Sequence, residues 1–266
     1  MTDKNIPISV IIPCFRSSDT IERAVLSVMN QTVLPSQIIL IDDASNDGSI
    51  EKLFALQKEY PLANISVEVM PVNGGPGLAR NRGWELATEP WLAFLDADDA
   101  WHPKKLQISW DWIKRHSQTV LLGHLSELAE ANEYQPCSLP ETVFGESISF
   151  WKMLIANRFY TRTVMLRSDI PFRFQDRQYT EDYLLWLEII LSGRLGYVLN
   201  QPLALSFRPE FSAGGYSGQL WTHEKREMRA WIYLYQQNTI SFLVLFIALP
   251  WSYLKYLRRA LKGIFS

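Results

Sequence analysis

The chain has 266 residues, of which 47% are hydrophobic and 13% aromatic, and its formal net charge at pH 7 is −2. This length and apolar content suit one large domain with appendages, and the near-neutral charge gives no case for nucleic acid as a partner. Two cysteines far apart in the sequence, Cys14 and Cys137, make neither a disulfide framework nor a zinc site, and they fit a reducing compartment. The polar N-terminal residues 1–7 carry no apolar signal-peptide core, so we expect a cytoplasmic protein.

Predicted strands and helices alternate through the first half of the chain. Short β-branched or apolar runs predict strands at 8–12, 38–41, 65–70 and 91–95, and helical spacing predicts helices at 20–30, 50–60 and 78–87. Farther along, we predict helices at 103–116, 150–156 and from 180, strands at 120–122 and 163–166, and a loop or acceptor-facing segment at 127–144. The alternation favours an α/β fold with a doubly wound, mainly parallel sheet, in which ligands bind at the carboxyl ends of the strands.

Chemically active side chains follow the ends of these predicted strands. They are Asp42 and Asp43 after the second strand, the glycine-rich loop 73–77 with Arg80 and Arg82 after the third, and Asp96, Asp98 and Asp99 after the fourth, ahead of a predicted turn at 100–103. Carboxylates this close repel one another, so we expect a divalent cation that takes oxygen ligands. A solvated acidic turn is the alternative. A Rossmann dinucleotide site is disfavoured because residues 13–17 after the first strand lack the G-x-G-x-x-G sequence, and no Walker A sequence occurs.

Four motifs stand in order over about the first 110 residues. They are VIIPCF at 10–15, DDASNDG at 42–48, GPGLARNRG at 75–83 and FLDADDAWHPKKL at 94–106. In this order and spacing they resemble the inverting glycosyltransferases of family 2, which have the GT-A fold, and particularly the branch that builds bacterial surface polysaccharides. The resemblance implies a GT-A catalytic domain at 1–210, with a nucleotide-binding half at 1–110 and an acceptor-binding half at 111–210. A helical tail at 211–266 would follow.

The resemblance also implies a binding site for a nucleotide-sugar and for Mg²⁺ or Mn²⁺. In the family the D-x-D motif binds the metal and the diphosphate, which implies Asp96 and Asp98 here. Asp98 is the first choice as metal ligand, and Asp99 is a candidate second ligand. The family's acid after the second strand hydrogen-bonds the nucleobase, which implies Asp43, with Asp42 as the substitute. Further donor-binding residues are expected at Pro13, Phe15, Gly75, Arg80 and Ala97; for Arg80 a salt bridge on the helix face stays open as the alternative.

A second acidic pair, Glu181 and Asp182, opens the helix predicted from residue 180. The pattern alone is explained by helix capping at Thr180, with acids favoured by the helix dipole. The resemblance implies instead that Asp182 is the catalytic base for the acceptor hydroxyl. Because the Q-x-x-R-W sequence of processive members is absent, we expect transfer of a single hexose, from a UDP-sugar to a lipid-linked or surface-polysaccharide acceptor. A nucleotidyltransferase and a non-catalytic membrane scaffold are the alternatives.

The end of the chain carries a membrane-binding pattern. Lys255, Arg258, Arg259 and Lys262 share one helical face, and Leu254, Leu257, Leu261 and Phe265 share another. The apolar run 240–249 ahead of them is shorter than the ~20 residues that a spanning helix needs. A basic face beside an apolar face is typical of a helix that lies in the membrane interface, so we expect peripheral association with the inner face of the cell membrane. The alternative is a helix packed on the catalytic domain with a solvated basic side.

Three further features have two interpretations each. His102 and His223 are more often buried and hydrogen-bonded in such positions than a metal ligand or an acceptor contact. The glycine- and serine-rich segment 212–218 is either a loop that closes over bound nucleotide-sugar or a linker to the tail.

Overall fold

The computed structural model describes residues 5–129, 138–208 and 220–265, with side chains up to residue 261. Cys137 and the segment 212–218, about which the sequence made predictions, lie outside these residues. The described residues form an α/β fold in which helices cover both faces of one mixed sheet. The strands are β1 Asn5–Cys14, β2 Leu34–Asp42, β3 Ile65–Val69, β4 Trp91–Phe94, β5 Ala100–Trp101, β6 Thr119–Leu128, β7 Gly145–Ser147, β8 Met165–Arg167 and β9 Leu195–Ser206. The helices are α1 Ile21–Met29, α2 Ser49–Glu59, α3 Pro76–Leu86, α4 Lys105–Arg115, α5 Phe150–Ile155, α6 Glu181–Leu191, α7 Leu220–Gln236 and α8 Phe242–Phe265.

The first four strands form the parallel half that the sequence predicts. Strand β1 pairs in parallel with β2 and β4, and β2 pairs in parallel with β3. Their apolar residues alternate between the two faces: Ile11 and Ile39 join the cluster on one face, while Val10 and Ile38 join the cluster on the other. Strands that are covered on both faces are apolar on both faces, which is why this half of the sheet could be predicted from the sequence.

The second half adds antiparallel pairings and makes the sheet mixed, while β6 and β9 form a further long parallel pair. The strand order is β3-β2-β1-β4-β8-β6-β9-β5, with β7 also paired to β9. Strand β8 runs antiparallel to both β4 and β6, and β5 and β7 run antiparallel to β9. The turn predicted at 100–103 is wrong for its first two residues, because Ala100 and Trp101 pair with Leu205 and Ala204 of β9.

The end of the chain forms a pair of helices, α7 and α8, which pack against α6. Helix α8 continues through Pro250, and its buried Ala248 lies in the same hydrophobic cluster as Trp231 of α7 and Trp186 of α6. Both helices lie within the segment 211–266, for which the sequence predicts a helical tail without separate bounds for α7. Among the described residues, none of the helices combines the length and the apolar character that a membrane crossing requires.

Candidate functional site

Parallel pairing brings the ends of β1, β2 and β4 to one edge of the sheet. Cys14 at the end of β1 is opposite Asp42 at the end of β2, and Ile11 of β1 is opposite Phe94 of β4. The acids that follow β2 and β4 therefore lie beside each other, as the sequence predicts for a ligand site at this edge.

Asp43 holds the glycine-rich loop ahead of α3. Its two carboxylate oxygens accept hydrogen bonds from the backbone N–H groups of Gly74 and Gly75, at 2.7 and 2.8 Å, and its carbonyl accepts one from the Asn73 amide at 3.1 Å. Gly75 has a φ of 91°, which favours glycine, and α3 begins at the next residue. The structure thus ties two residues predicted for donor binding, Asp43 and Gly75, to each other.

Asp42 has a structural position inside the protein. Its side chain is fully buried, and one oxygen accepts the Ser45 N–H at 2.8 Å across a turn in which Ala44 takes a φ of 59°. Burial, together with the charge of Asp42, raises the pKa of the neighbouring Cys14 thiol far above its ordinary value. Asp42 and Asp43 are thus both buried, and the role of Asp42 as the substitute for Asp43 stays a prediction.

Pro13, Phe15 and Ala97 lie at the same edge, and they differ in exposure. Phe15 is exposed just after β1, with the Arg16 guanidinium 5.1 Å from its ring centroid. Pro13 is half-buried in β1, and Ala97 is buried between the acids of the D-x-D motif. An exposed aromatic ring at this edge offers a flat surface to a base, so Phe15 remains a candidate for binding the donor.

Arg80 joins the two acidic motifs. It is buried on α3, its Nη2 lies 2.7 Å from Asp96 Oδ1, and its Nη1 lies 3.7 Å from Glu181 Oε1 at the start of α6. Burial alone would lower the pKa of the guanidinium, but the surrounding carboxylates of Asp96, Glu181 and Asp182 raise it above its ordinary value. The guanidinium is thus held by protein acids, which matches the salt-bridge alternative; contact with the nucleotide stays a prediction.

Asp98 and Asp99 have different surroundings although they are adjacent. The Asp98 side chain is 36% exposed, and its Oδ2 lies 3.5 Å from Arg208 Nε. Asp99 is buried, with its Oδ2 3.6 Å from Arg162 Nε. Burial raises the pKa of Asp99 to about 7, against the opposing charge of Arg162. Asp98 can therefore meet a ligand from solvent, whereas Asp99 is buried beside Arg162, and its role as a second metal ligand stays a prediction.

The predicted base, Asp182, lies in the first turn of α6. One carboxylate oxygen accepts its neighbour's N–H, from Tyr183, at 2.7 Å, and the other accepts the Thr161 hydroxyl at 3.5 Å. Burial raises the pKa of Asp182, with the charge of Asp96 acting in the same direction. Thr180 does not cap the helix with its side chain, because its hydroxyl is buried with no hydrogen-bond partner among the described residues. Capping by Thr180 thus does not explain the motif.

His102 is buried and His223 is half-buried, the environment that the sequence favours for both. His102 is buried, and its Nδ1 accepts the Lys104 N–H at 3.1 Å. Burial lowers the pKa of His223 to about 4, and this residue lies on α7 among the tail's charges. Across the described ranges, no three His, Cys, Asp or Glu side chains converge as a ready metal cluster.

Sequence reasoning missed the cations around the D-x-D motif. Arg162 faces Asp99, Arg208 faces Asp98, and Arg23 donates to the Asp98 carbonyl at 2.6 Å. Arg208 directly follows β9, which was not predicted, so no sequence signal placed it near residue 98.

Comparisons with known proteins give one consistent result. The profile of the family described as Glycosyl transferase family 2 matches residues 9–178. TuaG of Bacillus subtilis, whose name provisionally assigns it to teichuronic acid biosynthesis as a glycosyltransferase, is 26% identical over 265 residues, covering 98% of this chain and 99% of that one. The Escherichia coli enzyme WfgD is named as a UDP-Glc:alpha-D-GlcNAc-diphosphoundecaprenol beta-1,3-glucosyltransferase. It is 26% identical over 193 residues, which cover 72% of each chain.

Solved structures share the fold. TarS of S. aureus in complex with UDP-GlcNAc has a TM-score of 0.67 at 19% identity, covering 86% of this chain and 66% of that one. The mannosyltransferase PcManGT of Pyrobaculum calidifontis, in complex with GDP-Man and Mn²⁺, has a TM-score of 0.68 at 14% identity, covering 96% and 75%. The chain spans about two thirds or less of the TarS chains it matches.

Proposed function

The chain belongs to glycosyl transferase family 2 and is a glycosyltransferase, and we propose that it inverts the anomeric centre of a single hexose as it moves that sugar from a UDP-sugar to a lipid-linked glycan. In this proposal residues 1–210 carry the donor and acceptor sites, and residues 211–266 keep the enzyme at the inner face of the cell membrane. Membership of this family, whose named relatives transfer sugars, favours an enzyme over a membrane scaffold and a sugar over a nucleotidyl group.

One observation carries the proposal: Arg80 connects the D-x-D motif to the acidic pair of α6. Its guanidinium reaches Asp96 on one side and Glu181 on the other, so the predicted donor-binding acids and the predicted base belong to one cluster. Inverting transfer needs a base on the face of the sugar opposite the leaving diphosphate, with both groups held in one site.

Asp182 is suited to act as this base. Burial raises its pKa above the ordinary value for aspartate, which makes the carboxylate a better proton acceptor. In the proposed step Asp182 takes the proton of the acceptor hydroxyl while that oxygen forms a bond to the anomeric carbon. The bond between this carbon and the UDP oxygen breaks, and UDP leaves with the electron pair.

The residues present fit a divalent cation through Asp96 and Asp98. Both supply hard oxygen donors, and burial together with the charge of Asp96 raises the pKa of Asp98, a cost that a bound cation would offset. When bound, Mg²⁺ or Mn²⁺ would stabilise negative charge on the diphosphate. Asp99 is left out of this set because its side chain is buried, whereas those of Asp96 and Asp98 are partly exposed.

The donor and acceptor are proposed from chemistry and from named relatives together. The exposed ring of Phe15 suits a base with a flat face, such as uracil, and the buried carboxylate of Asp43 holds the neighbouring glycine loop through the Gly74 and Gly75 N–H groups. The name of WfgD includes a UDP-sugar and a lipid-diphosphate acceptor, and TarS was solved with UDP-GlcNAc. A UDP-sugar and a lipid-linked glycan are the corresponding proposal for this chain.

The substitution Asp182→Asn tests the assignment. We expect sugar transfer to fall by about 10²–10⁴-fold, the usual contribution of a positioned base. The affinity for UDP in the presence of Mn²⁺, measured by calorimetry, should stay unchanged. The matched control is Glu188→Gln, an acid on the same helix outside the cluster, which should keep full activity. Wild-type activity in Asp182→Asn would overturn the proposed base.

A further inference from the structure

Helix α8 exposes a row of apolar side chains to solvent, while its Lys255 and Arg259 face the acids of α7. The residues on its outward face are Leu243, Phe246, Ile247, Pro250, Leu254, Leu257 and Leu261, all exposed. They recur at helical spacing from Leu243 to Leu261, which corresponds to about 27 Å of helix. We call this set the outward stripe. A helix on the surface of a water-soluble domain normally has the opposite orientation, with its apolar face inward.

Ion pairs with α7 fix this orientation. Lys255 Nζ lies 2.6 Å from Glu227, Arg259 Nη2 lies 3.1 Å from Glu224, and the Ser252 hydroxyl donates to Glu224 at 2.7 Å. Both glutamates are buried, so rotating α8 about its axis would leave two carboxylates without their partners in a poorly solvated place. The outward stripe is thus held outward by the structure of the helix pair.

The apolar surface continues from α8 onto α5. Trp151 and Ile155 of α5 are exposed, at 60% and 53%, and the Trp251 indole N–H donates to the Ile155 carbonyl at 3.4 Å. Leu154 and Ile155 line a shallow groove together with Ile247, Pro250, Trp251 and Leu254. Contiguous exposed apolar surfaces of this extent mark interaction sites in soluble proteins.

The charges around this surface select the partner. Helix α8 contains no acid, and the two acids of α7, Glu224 and Glu227, are both buried against cations. Lys225 and Arg229 of α7 and Arg258 of α8 are exposed. The exposed charges on this helix pair, within the described residues, are therefore positive. An apolar stripe with indole rings beside it, on a helix pair whose exposed charges are positive, is complementary to the headgroup boundary of an anionic bilayer.

We propose that the outward stripe of α8 and the exposed residues of α5 form the surface that docks on an anionic lipid bilayer, with the stripe entering the headgroup boundary. Of the basic face predicted from the sequence, Lys255 and Arg259 are turned toward the acids of α7 and Arg258 is exposed, so the docking surface is the outward stripe and not the whole basic face. The inference deepens the proposed function and rests on it only for the lipid-linked acceptor. Helix α5 also contacts α6 directly, where the Tyr183 hydroxyl donates to the Met153 carbonyl at 2.6 Å beside the proposed base. The docked surface and the acceptor site are therefore neighbours.

Vesicle flotation of the full chain tests the surface. The variant Ile247→Glu/Leu254→Glu changes two exposed side chains of the stripe, at 44% and 56% exposure, and the control Phe54→Glu changes one at 48% exposure on α2. With vesicles of phosphatidylethanolamine and phosphatidylglycerol in equal parts, we expect the double variant to partition at least about tenfold less than wild type, because two apolar side chains no longer leave water. The control should bind as wild type does, and thermal unfolding should show all three proteins folded.

Salt distinguishes the outward stripe from the basic face. Raising NaCl to about 0.5 M screens charge–lipid attraction, but it leaves apolar burial in place, so most wild-type binding should persist. Loss of all binding in salt, or equal binding by the double variant, would overturn the proposal. A wild-type dimer that the double substitution dissociates, with no vesicle binding, would identify a second copy as the partner and would also overturn it. A failure of the proposed transferase activity would instead appear only in sugar-transfer assays and would leave flotation unchanged.

Discussion

At the scale of single residues, neighbouring acids in the D-x-D motif have opposite environments. Asp98 is partly exposed and Asp99 is buried against Arg162, although one peptide bond separates them. Sequence reasoning identified the cluster correctly as a group of acids at a strand end. The sequence could not show that the acids differ in environment, because Arg162, which pairs with Asp99, lies more than sixty residues farther along the chain.

This difference yields a prediction about the metal. Asp98→Asn should abolish the gain in UDP affinity that Mn²⁺ produces, because the substitution removes the exposed anionic oxygen proposed to bind the cation. Asp99→Asn should keep that gain, since its side chain faces the protein. Calorimetric titration of each variant with UDP, with and without Mn²⁺, measures both effects. Loss of the gain in both variants to the same extent would contradict the assignment of distinct parts.

Arg80 shows another limit of residue-scale reasoning. The sequence allowed either a phosphate contact or a salt bridge, and the structure places the guanidinium between Asp96 and Glu181. Burial raises the pKa of Glu181 to about 7, with Asp182 adding to the effect and Arg80 opposing it. Arg80 therefore sets the charge balance of both acidic motifs, a part that can be seen only once α3 and α6 are known to meet.

At the scale of elements, the contact between α3 and the start of α6 positions the proposed base. A Cβ placed on Gly77 of α3 would lie 2.7 Å from the Gln175 carbonyl oxygen and 2.8 Å from Glu181 Cγ. Real Cβ atoms do not approach so closely, so only glycine lets the two elements pack at this separation. This packing explains why residue 77, in the third sequence motif, is a glycine.

Gly77→Ala should therefore shift the first turn of α6 and displace Asp182. We expect kcat for sugar transfer to fall at least about tenfold, because small misplacements of a catalytic group are costly, with a smaller change in the affinity for UDP. The control is Gly193→Ala, which has a φ of 82° beyond the other end of α6 and no atom near the new Cβ. Gly193→Ala should lower the free energy of unfolding by about 1 kcal/mol and leave kcat unchanged. Equal loss of kcat in both variants would show that general destabilisation, not the position of α6, causes the effect.

Elements were predictable from the sequence to the extent that one local pattern formed each of them. Strands β1, β2 and β4 contain continuous apolar runs, β3 alternates apolar and polar residues, and the predicted helices between them lie within a few residues of their observed ends. Strand β9 escaped prediction because the polar pair Asn200 and Gln201 precedes Pro202, and the register with β6 shifts at this point. Strand β5 has two residues, and only its pairing with β9 makes it a strand.

At the scale of the whole molecule, the tail helices α7 and α8 share a hydrophobic core with α6. Trp231 of α7 and Ala248 of α8 share the cluster that contains Tyr183 and Trp186 of α6. The amphipathic pattern at 254–265 correctly indicated a helix. The pattern could not show which face points inward, because the buried acids of α7 decide that, and α7 itself had no strong local signal.

The ion pairs between α7 and α8 predict how the tail responds to loss of a cation. Lys255→Met should lower the free energy of unfolding by about 2–3 kcal/mol, because the buried Glu227 loses the ammonium 2.6 Å away. We expect the lower end of the cost of a broken buried pair, since Arg259 remains 3.8 Å from Glu227. Urea denaturation followed by tryptophan fluorescence measures the change. The matched control is Arg258→Met, an exposed cation on the same helix.

The control separates the two views of the basic face. If all the cations of α8 were solvated or faced lipid, Lys255→Met and Arg258→Met would change the stability of the isolated protein equally little, by less than about 0.5 kcal/mol. With Lys255 turned inward, only Lys255→Met should be costly. Adding Glu227→Gln to Lys255→Met should recover part of the loss, because the double variant no longer buries an unpaired charge. Absence of this recovery would refute the ion pair as the force that holds the outward stripe in place.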